Sequence, residues 1–485
     1  MGVTLYTSRV ILEVLGIEDF GIYNVVGGIV AMFAFINGGM VSATQRYLTF
    51  ELGRHNESKL TNVFSTAIQI HAVIAFIIIV LAETIGLWFL YYKMVIPAER
   101  MDAAIWVYQC SVIACVINIM SIPYNADIIA HEKMSAFAYI SIIEASLKLG
   151  IVYLLIWSPI DKLIIYAVLI LLVQFTIRII YSQYCHRHFE ESKYQHHFNY
   201  PLFKEMASFA GWSFWGSLSS VLFTQGVNLM LNVFFGPVVN AARGIAVQVQ
   251  SAVQQFVGNF QMALNPQITK NYATGDLVQM HSLMFRSARF SFFLLFFLTL
   301  PILLETNFIL ALWLKTVPEN TVIFSQLMIC ISMIYAIANP CVVANQATGQ
   351  VKKYQMVVGG ILLTILPLSY ITLKFGAPAY SVFIVHFCVE IIAQLSRMYM
   401  LRKIIQLPLW QYFKHIYIPT FITVTVAILL PFWVHCQFSE SWFRFVLVGS
   451  TSIISVTISV SLFGLTKHEK DFIYHKLLQV LKRRT

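Results

Sequence analysis

Ionisable side chains inside apolar runs are the residues of this sequence whose types and spacing could do chemistry. A charge in hydrocarbon costs several kcal/mol, so each must face protein or a wet cavity. Arg9 and Glu13 lie four apart in one run, and Glu144 and Lys148 lie four apart in another. Each pair shares a helical face. Two accounts stay open: the pairs neutralise themselves, or their cations face a cleft. Arg243 has no acidic residue within four positions, which favours an anionic ligand over a local salt bridge. Arg46 closes its run, where it also fits plain anchoring by basic residues at a membrane boundary. Glu83, Glu305 and Glu390 are candidates for proton or cation coupling, because a carboxylate in a low-dielectric setting can hold a proton at working pH. Glu144 and Glu390 rank above Glu83 and Glu305, which fall near span ends.

Two neighbouring runs are polar for membrane segments. They carry Gln225 and Asn228, then Gln248, Gln254, Gln255 and Gln261. Gln248 with Gln255, and Gln254 with Gln261, are seven apart, so each pair follows one helical stripe. Such amides suit a water-filled passage and the hydroxyls of a sugar, and they suit hydrogen bonding between helices equally well.

No nucleophile motif, Walker sequence, metal-ligand spacing or Gly-rich phosphate loop occurs, so the chain reads as a transporter and not an enzyme, with no metal and no cofactor. The seven cysteines form no CxxC and read as small buried hydrophobes. The stretch Cys185 to Tyr200, CHRHFEESKYQHHFNY, reads as a solvated linker whose histidines and glutamates have no known metal spacing.

These residues must be positioned by helices in lipid. Of the 485 residues 58% are hydrophobic and 11% charged, with mean hydropathy +0.74, and a water-covered surface cannot absorb that composition. A bilayer core of about 30 Å takes roughly 20 apolar residues per helix. Fourteen spans are expected, near 3–15, 20–45, 62–91, 104–126, 136–157, 163–184, 206–235, 239–263, 285–312, 321–346, 354–373, 379–400, 412–434 and 443–464. The first is short for a crossing: the start lies upstream or this helix is a half-span. Lys and Arg fall mainly on one side, about 23 of the 32, which places both termini in the cytoplasm. The net charge of +10 is then topology and an anionic lipid surface, not nucleic acid.

An internal repeat organises the chain. LYT at 5–7 pairs with LFT at 222–224, and Pro123 and Ala130 pair with Pro340 and Ala347, all at one offset. The fold class expected is an all-α polytopic membrane protein of about 14 helices, with two six-helix lobes related by a pseudo-two-fold axis and two C-terminal helices. The expected parts are an N-terminal lobe at 1–184, a linker at 185–205, a C-terminal lobe at 206–404, two helices at 405–466 and a basic amphipathic tail at 467–485. A central cleft between lobes that rock would give alternating access.

The opening fifty-odd residues, and above all Leu15, Gly16, Asp19, Phe20, Gly21, Tyr23 and Asn24 in the pattern LG-x-x-DFG-x-Y-N, resemble the start of bacterial Wzx-type polysaccharide flippases. These belong to the multidrug/oligosaccharidyl-lipid/polysaccharide exporter superfamily. The resemblance implies translocation of undecaprenyl-diphosphate-linked oligosaccharide units (O-antigen or capsule repeats) across the bacterial inner membrane. It also implies work beside a polysaccharide polymerase and chain-length regulator. Related flippases place cleft arginines where Arg9, Arg46 and Arg243 fall by helix; Lys148 joins them here as a cation, with Gln225, Asn228, Gln248 and Gln255 as polar partners of the glycan. Drug exporters of the superfamily rely on cleft acids, so a cation-coupled multidrug antiporter and a peptidoglycan-precursor flippase are the competing readings.

Overall fold

The structure is a computed structural model. It describes residues 37–92, 96–156, 161–195, 198–314 and 317–466, with scattered positions between 11 and 27, Met94, Glu469 and Lys470. Among these residues every regular element is helical. In chain order the main ones are α1 (Asn37–Gly53), α2 (Glu57–Tyr92), α3 (Ala98–Ala130), α4 (Met134–Ile156), α5 (Lys162–His188), α6 (Tyr200–Phe235) and α7 (Pro237–Ala273). They continue as α8 (Leu277–Leu304), α9 (Thr306–Leu314), α10 (Thr321–Ala347), α11 (Val351–Lys374), α12 (Ser381–Ile404), α13 (Leu409–Gln437) and α14 (Trp442–Gly464). Among the described residues eleven helices are long and apolar enough to cross a membrane. Their outer faces are apolar without a protein partner, as at Phe76, Tyr92 and Phe421, each at least two-thirds exposed. Lipid is the solvent that suits such faces. The first expected span and the tail from Lys467 lie almost wholly outside the described residues.

Several boundaries differ from the hydropathy reading, each for a local reason. The run 285–312 is two helices, α8 and α9, broken where Pro301 removes an amide and Glu305 turns out of the helix. The run 239–263 is one helix of 37 residues, α7, which continues past Pro266 to Ala273. At about 1.5 Å per residue it spans roughly 55 Å, well beyond a bilayer core.

The chain forms two compact units, Met1–Leu218 and Ser219–Thr485, divided within α6. In the first, Ile22, Val26, Leu90, Val107, Tyr108 and Leu163 form the core of α2, α3 and α5. In the second, Met284, Phe292, Phe296, Tyr412 and Val456 join α8, α10, α13 and α14.

The repeat seen in sequence is repeated in backbone geometry. α3 and α10 each hold a proline seven residues from their last residue, Ala130 and Ala347. Each is followed by a residue at positive φ, Glu132 at 59° and Gly349 at 77°. Each turn then opens a new helix at Met134 or Val351, at the same offset as the prolines. A second pair of turns matches too. Asn56 N–H donates to Glu51 O and Asp276 N–H to Asn271 O, the six-to-one bond of a helix C-terminus. Their side chains then cap α2 and α8 by accepting from Lys59 N and Gln279 N.

The linker corrects its sequence reading. It is not a solvated loop throughout: Phe189, Glu191 and Ser192 are buried, and Gln195 N–H donates to Ser65 Oγ on α2 at 3.0 Å. The cysteines are corrected in part, because Cys388 and Cys436 are exposed while Cys110, Cys185 and Cys341 are buried.

Candidate functional site

In the second unit α6, α7, α10, α11 and α12 line a half-open cavity of about 330 Å³. α7 supplies Arg243, Gln250 and Gln254; α6 supplies Ser220 and Thr224; α12 supplies His386, Glu390 and Arg397. The polarity that makes α7 a poor lipid-facing helix is explained by this packing, because its amides bond across to α10. Gln254 Nε2 donates to Ser332 Oγ at 3.1 Å, and Gln261 Nε2 donates to Ala336 O at 2.9 Å.

The charges of the cavity are unequal. Arg397 Nη1 donates to Glu390 Oε1 at 2.7 Å and its Nε to Tyr354 Oη at 3.2 Å, and both charged groups are buried. That pair is internally compensated. Arg243, 8% exposed, is held by neutral groups: Nη1 donates to Asn228 Oδ1 at 3.1 Å and Nη2 to Thr224 O at 2.8 Å. Among the described residues it makes no ion pair, and its Nε–H has no acceptor. A guanidinium carries five N–H donors in a planar fork suited to phosphate and carboxylate oxygens. The cavity therefore holds one excess positive charge with donors to spare, and an anion would satisfy both.

The residues singled out by sequence are dispersed over the structure. Arg243 and Glu390 line this cavity, and Asn228 orients Arg243. Gln225, Gln248 and Gln255 are exposed on other faces of α6 and α7, while Gln254, from the companion stripe it shares with Gln261, lines the cavity beside Gln250. Lys148 Nζ donates to Glu144 Oε1 at 2.6 Å, so that pair neutralises itself within the first unit. Arg46 stacks over Tyr47 at 4.4 Å and Phe50 at 4.7 Å, next to the Tyr47 Oη bond to Glu205. Arg9 and Glu13 lie outside the described residues. Glu305 is buried against Arg444 at 2.8 Å and His435 at 2.9 Å, an ion cluster tying the α8–α9 break to α13 and α14. Glu83 is exposed and accepts from Gln109.

His386 and Arg397 were missed by the sequence reading. The signal was present in Arg397, an arginine inside an apolar run, but its partner is seven residues back, beyond a four-residue search.

The motif at the chain's start acquires a structural role. Arg100, at the head of α3, binds the carboxylate of Asp19 and also donates to Asp161 Oδ2 at 2.5 Å. Asp161 in turn caps α5 by accepting from Leu163 N and Ile164 N. One guanidinium thus gathers three segments of the first unit.

Solved structures share this architecture. The crystal structure of a MATE variant superposes with TM-score 0.73 at 12% identity, covering 83% of this chain and 92% of that one. An outward-facing multidrug resistance MATE family transporter of the MOP superfamily gives 0.71 at 12%, covering 83% and 91%. A MOP superfamily transporter from Pyrococcus furiosus, described as having a binding pocket of reversed polarity, gives 0.69 at 12%, covering 83% and 91%. No curated protein matches the chain. The fold is that of these multi-pass membrane transporters. Residues 2–272, more than half the chain, match the polysaccharide biosynthesis protein family, and the chain belongs to it.

Proposed function

We propose that this transporter is a flippase for undecaprenyl-diphosphate-linked oligosaccharide units, working by alternating access in a bacterial inner membrane with both termini cytoplasmic. The observation that supports the reading most is Arg243, a buried cation held only by neutral partners. A diphosphate supplies what it lacks. At about 330 Å³ the cavity is at the small end of ligand pockets, fit for a headgroup and not for a whole glycan. Asn228 sets the guanidinium, and Gln250 and Gln254 offer amides to the first sugar. Arg46 and Arg9 are proposed as further cations along the route, with Lys148 joining them once protonation of Glu144 breaks their pair, and Gln225, Gln248 and Gln255 as polar contacts outside this cavity.

Glu390 is proposed to couple transport to a proton. Protonating it removes its charge and frees Arg397 to face the ligand. Glu144 is the second candidate for coupling. The lipid tail stays in the bilayer, and a polymerase and chain-length regulator receive the glycan on the far side.

A multidrug antiporter would need a net acidic site for cationic drugs. Among the described residues the one carboxylate lining this cavity is engaged by Arg397, which disfavours that reading. A peptidoglycan-precursor flippase shares the diphosphate and differs in the glycan.

The test is export in a strain deleted for the gene and complemented by wild type or Arg243→Ala, with surface polysaccharide and inner-leaflet intermediate both quantified. The proposal expects the intermediate to accumulate in the deletion and in Arg243→Ala, which expresses normally. Unchanged surface glycan with new sensitivity to cationic drugs would transfer the function to drug export.

A further inference from the structure

Asp127 is fully buried in the last turn of α3, and neither carboxylate oxygen has a hydrogen-bond partner among the described residues. A buried polar group without a partner is costly, and a charge more so. Four residues on, at the C-cap of the same helix, His131 turns its ring to the same face and places Nε2 3.8 Å from Asp127 Oδ1. From the linker comes Glu191, mostly buried, whose Oε1 lies 2.5 Å from the same Nε2. The three ligand atoms all lie within 4.8 Å of one another. Phe189 stacks on the His131 ring at 4.0 Å with 7° between planes, which fixes the direction of Nε2.

We infer that Asp127, His131 and Glu191 bind a divalent transition-metal ion, with Zn²⁺ best matched to the donors. Two carboxylates and a neutral imidazole sum to a charge of −2, which a dication cancels. The imidazole selects against Ca²⁺ and Mg²⁺, which take oxygen ligands. Tetrahedral Zn²⁺ with bonds of about 2.0–2.2 Å separates its ligand atoms by roughly 3.4 Å. The spacings of 3.8 and 2.5 Å bracket that value, so a shift of roughly 1 Å by the Glu191 side chain, carried on the linker, forms the site. Three protein ligands leave the fourth position to water, and His131, 24% exposed at its side chain, gives solvent access. The ion would pin the linker to the α3–α4 turn. The repeat places Ala344 and Thr348 at the positions matching Asp127 and His131, so the site belongs to the first unit alone and is independent of the cavity around Arg243.

The test uses the full chain purified in detergent, stripped with a chelator and titrated with ZnCl2 by calorimetry, with bound metal quantified after dialysis. The inference expects one tight Zn²⁺ per chain and no comparable Mg²⁺ binding. Glu191→Gln and Asp127→Asn should each weaken it at least about 100-fold, past the roughly 10–100-fold cost of losing a supporting group. The double variant His186→Ala with His188→Ala, which spares the three ligands, should bind as wild type. Wild-type protein without stoichiometric Zn²⁺ overturns the inference. So does binding that survives Glu191→Gln, or that is lost in the double variant. Should Asp127→Asn fail to fold, the wild-type stoichiometry and Glu191→Gln, placed on the linker, decide.

Discussion

Arg397 and Glu390 bond at 2.7 Å across two turns of α12, both buried, and so cancel each other within a cavity where Arg243 stays uncancelled. Removing one member of a buried pair strands the other. Arg397→Ala should therefore lower stability by about 3–5 kcal/mol, whereas Glu390→Gln combined with Arg397→Met should recover most of it. Thermal unfolding of detergent-purified protein measures both. Equal melting points for Arg397→Ala and wild type would mean that the pair is not formed.

Gly86 lies in the π-helical turn of α2, where Tyr108 Oη donates to Ala82 O at 2.7 Å. A Cβ on Gly86 would meet Tyr108 Oη at 1.9 Å, inside any allowed contact. Gly86→Ala should cost about 1–3 kcal/mol by overpacking, and adding Tyr108→Phe should return part of it. The check is the melting temperature of the two variants side by side.

The Arg100 junction predicts an acid limit. Burial pushes the Asp161 carboxyl up, but the bond from Arg100 and the N–H groups of α5 outweigh it and hold it below the usual carboxylate range. A group lowered by folding contributes stability above its unfolded value and loses it as pH falls through the folded one. Stability should hold from this source down to about pH 4 and fall below it. Asp161→Asn should flatten that acid limb in unfolding scans run between neutral pH and about pH 3.

Legibility in the sequence followed the range of the interaction. The helices, the repeat and Arg243 were readable because apolar length, an offset and an isolated cation are properties of one segment. The Glu144–Lys148 pair was readable as an alternative because its partners are one turn apart. Seven-residue spacing gave two amide stripes on α7, and only packing against α10 separates the one holding Gln254 from the one holding Gln255. Asp127 looked unremarkable in a helix end, since the third member of its cluster, Glu191, meets His131 from a linker sixty residues on. A still longer separation, 180 residues, hid Arg289, whose buried guanidinium binds Glu469 beyond α14.

The central claim is that Arg243 takes the anionic headgroup of the transported lipid. The most direct measurement is flipping of an undecaprenyl-diphosphate-linked oligosaccharide in proteoliposomes, comparing wild type, Arg243→Lys, Arg243→Ala and the exposed control Gln279→Ala, a side chain outside the proposed route. The account predicts transport by wild type and Gln279→Ala, a reduced rate for Arg243→Lys, which keeps the charge without the fork, and a loss of at least about tenfold for Arg243→Ala, equivalent to about 1.4 kcal/mol. Transport by Arg243→Ala at the wild-type rate, with the protein folded and correctly inserted, would contradict it.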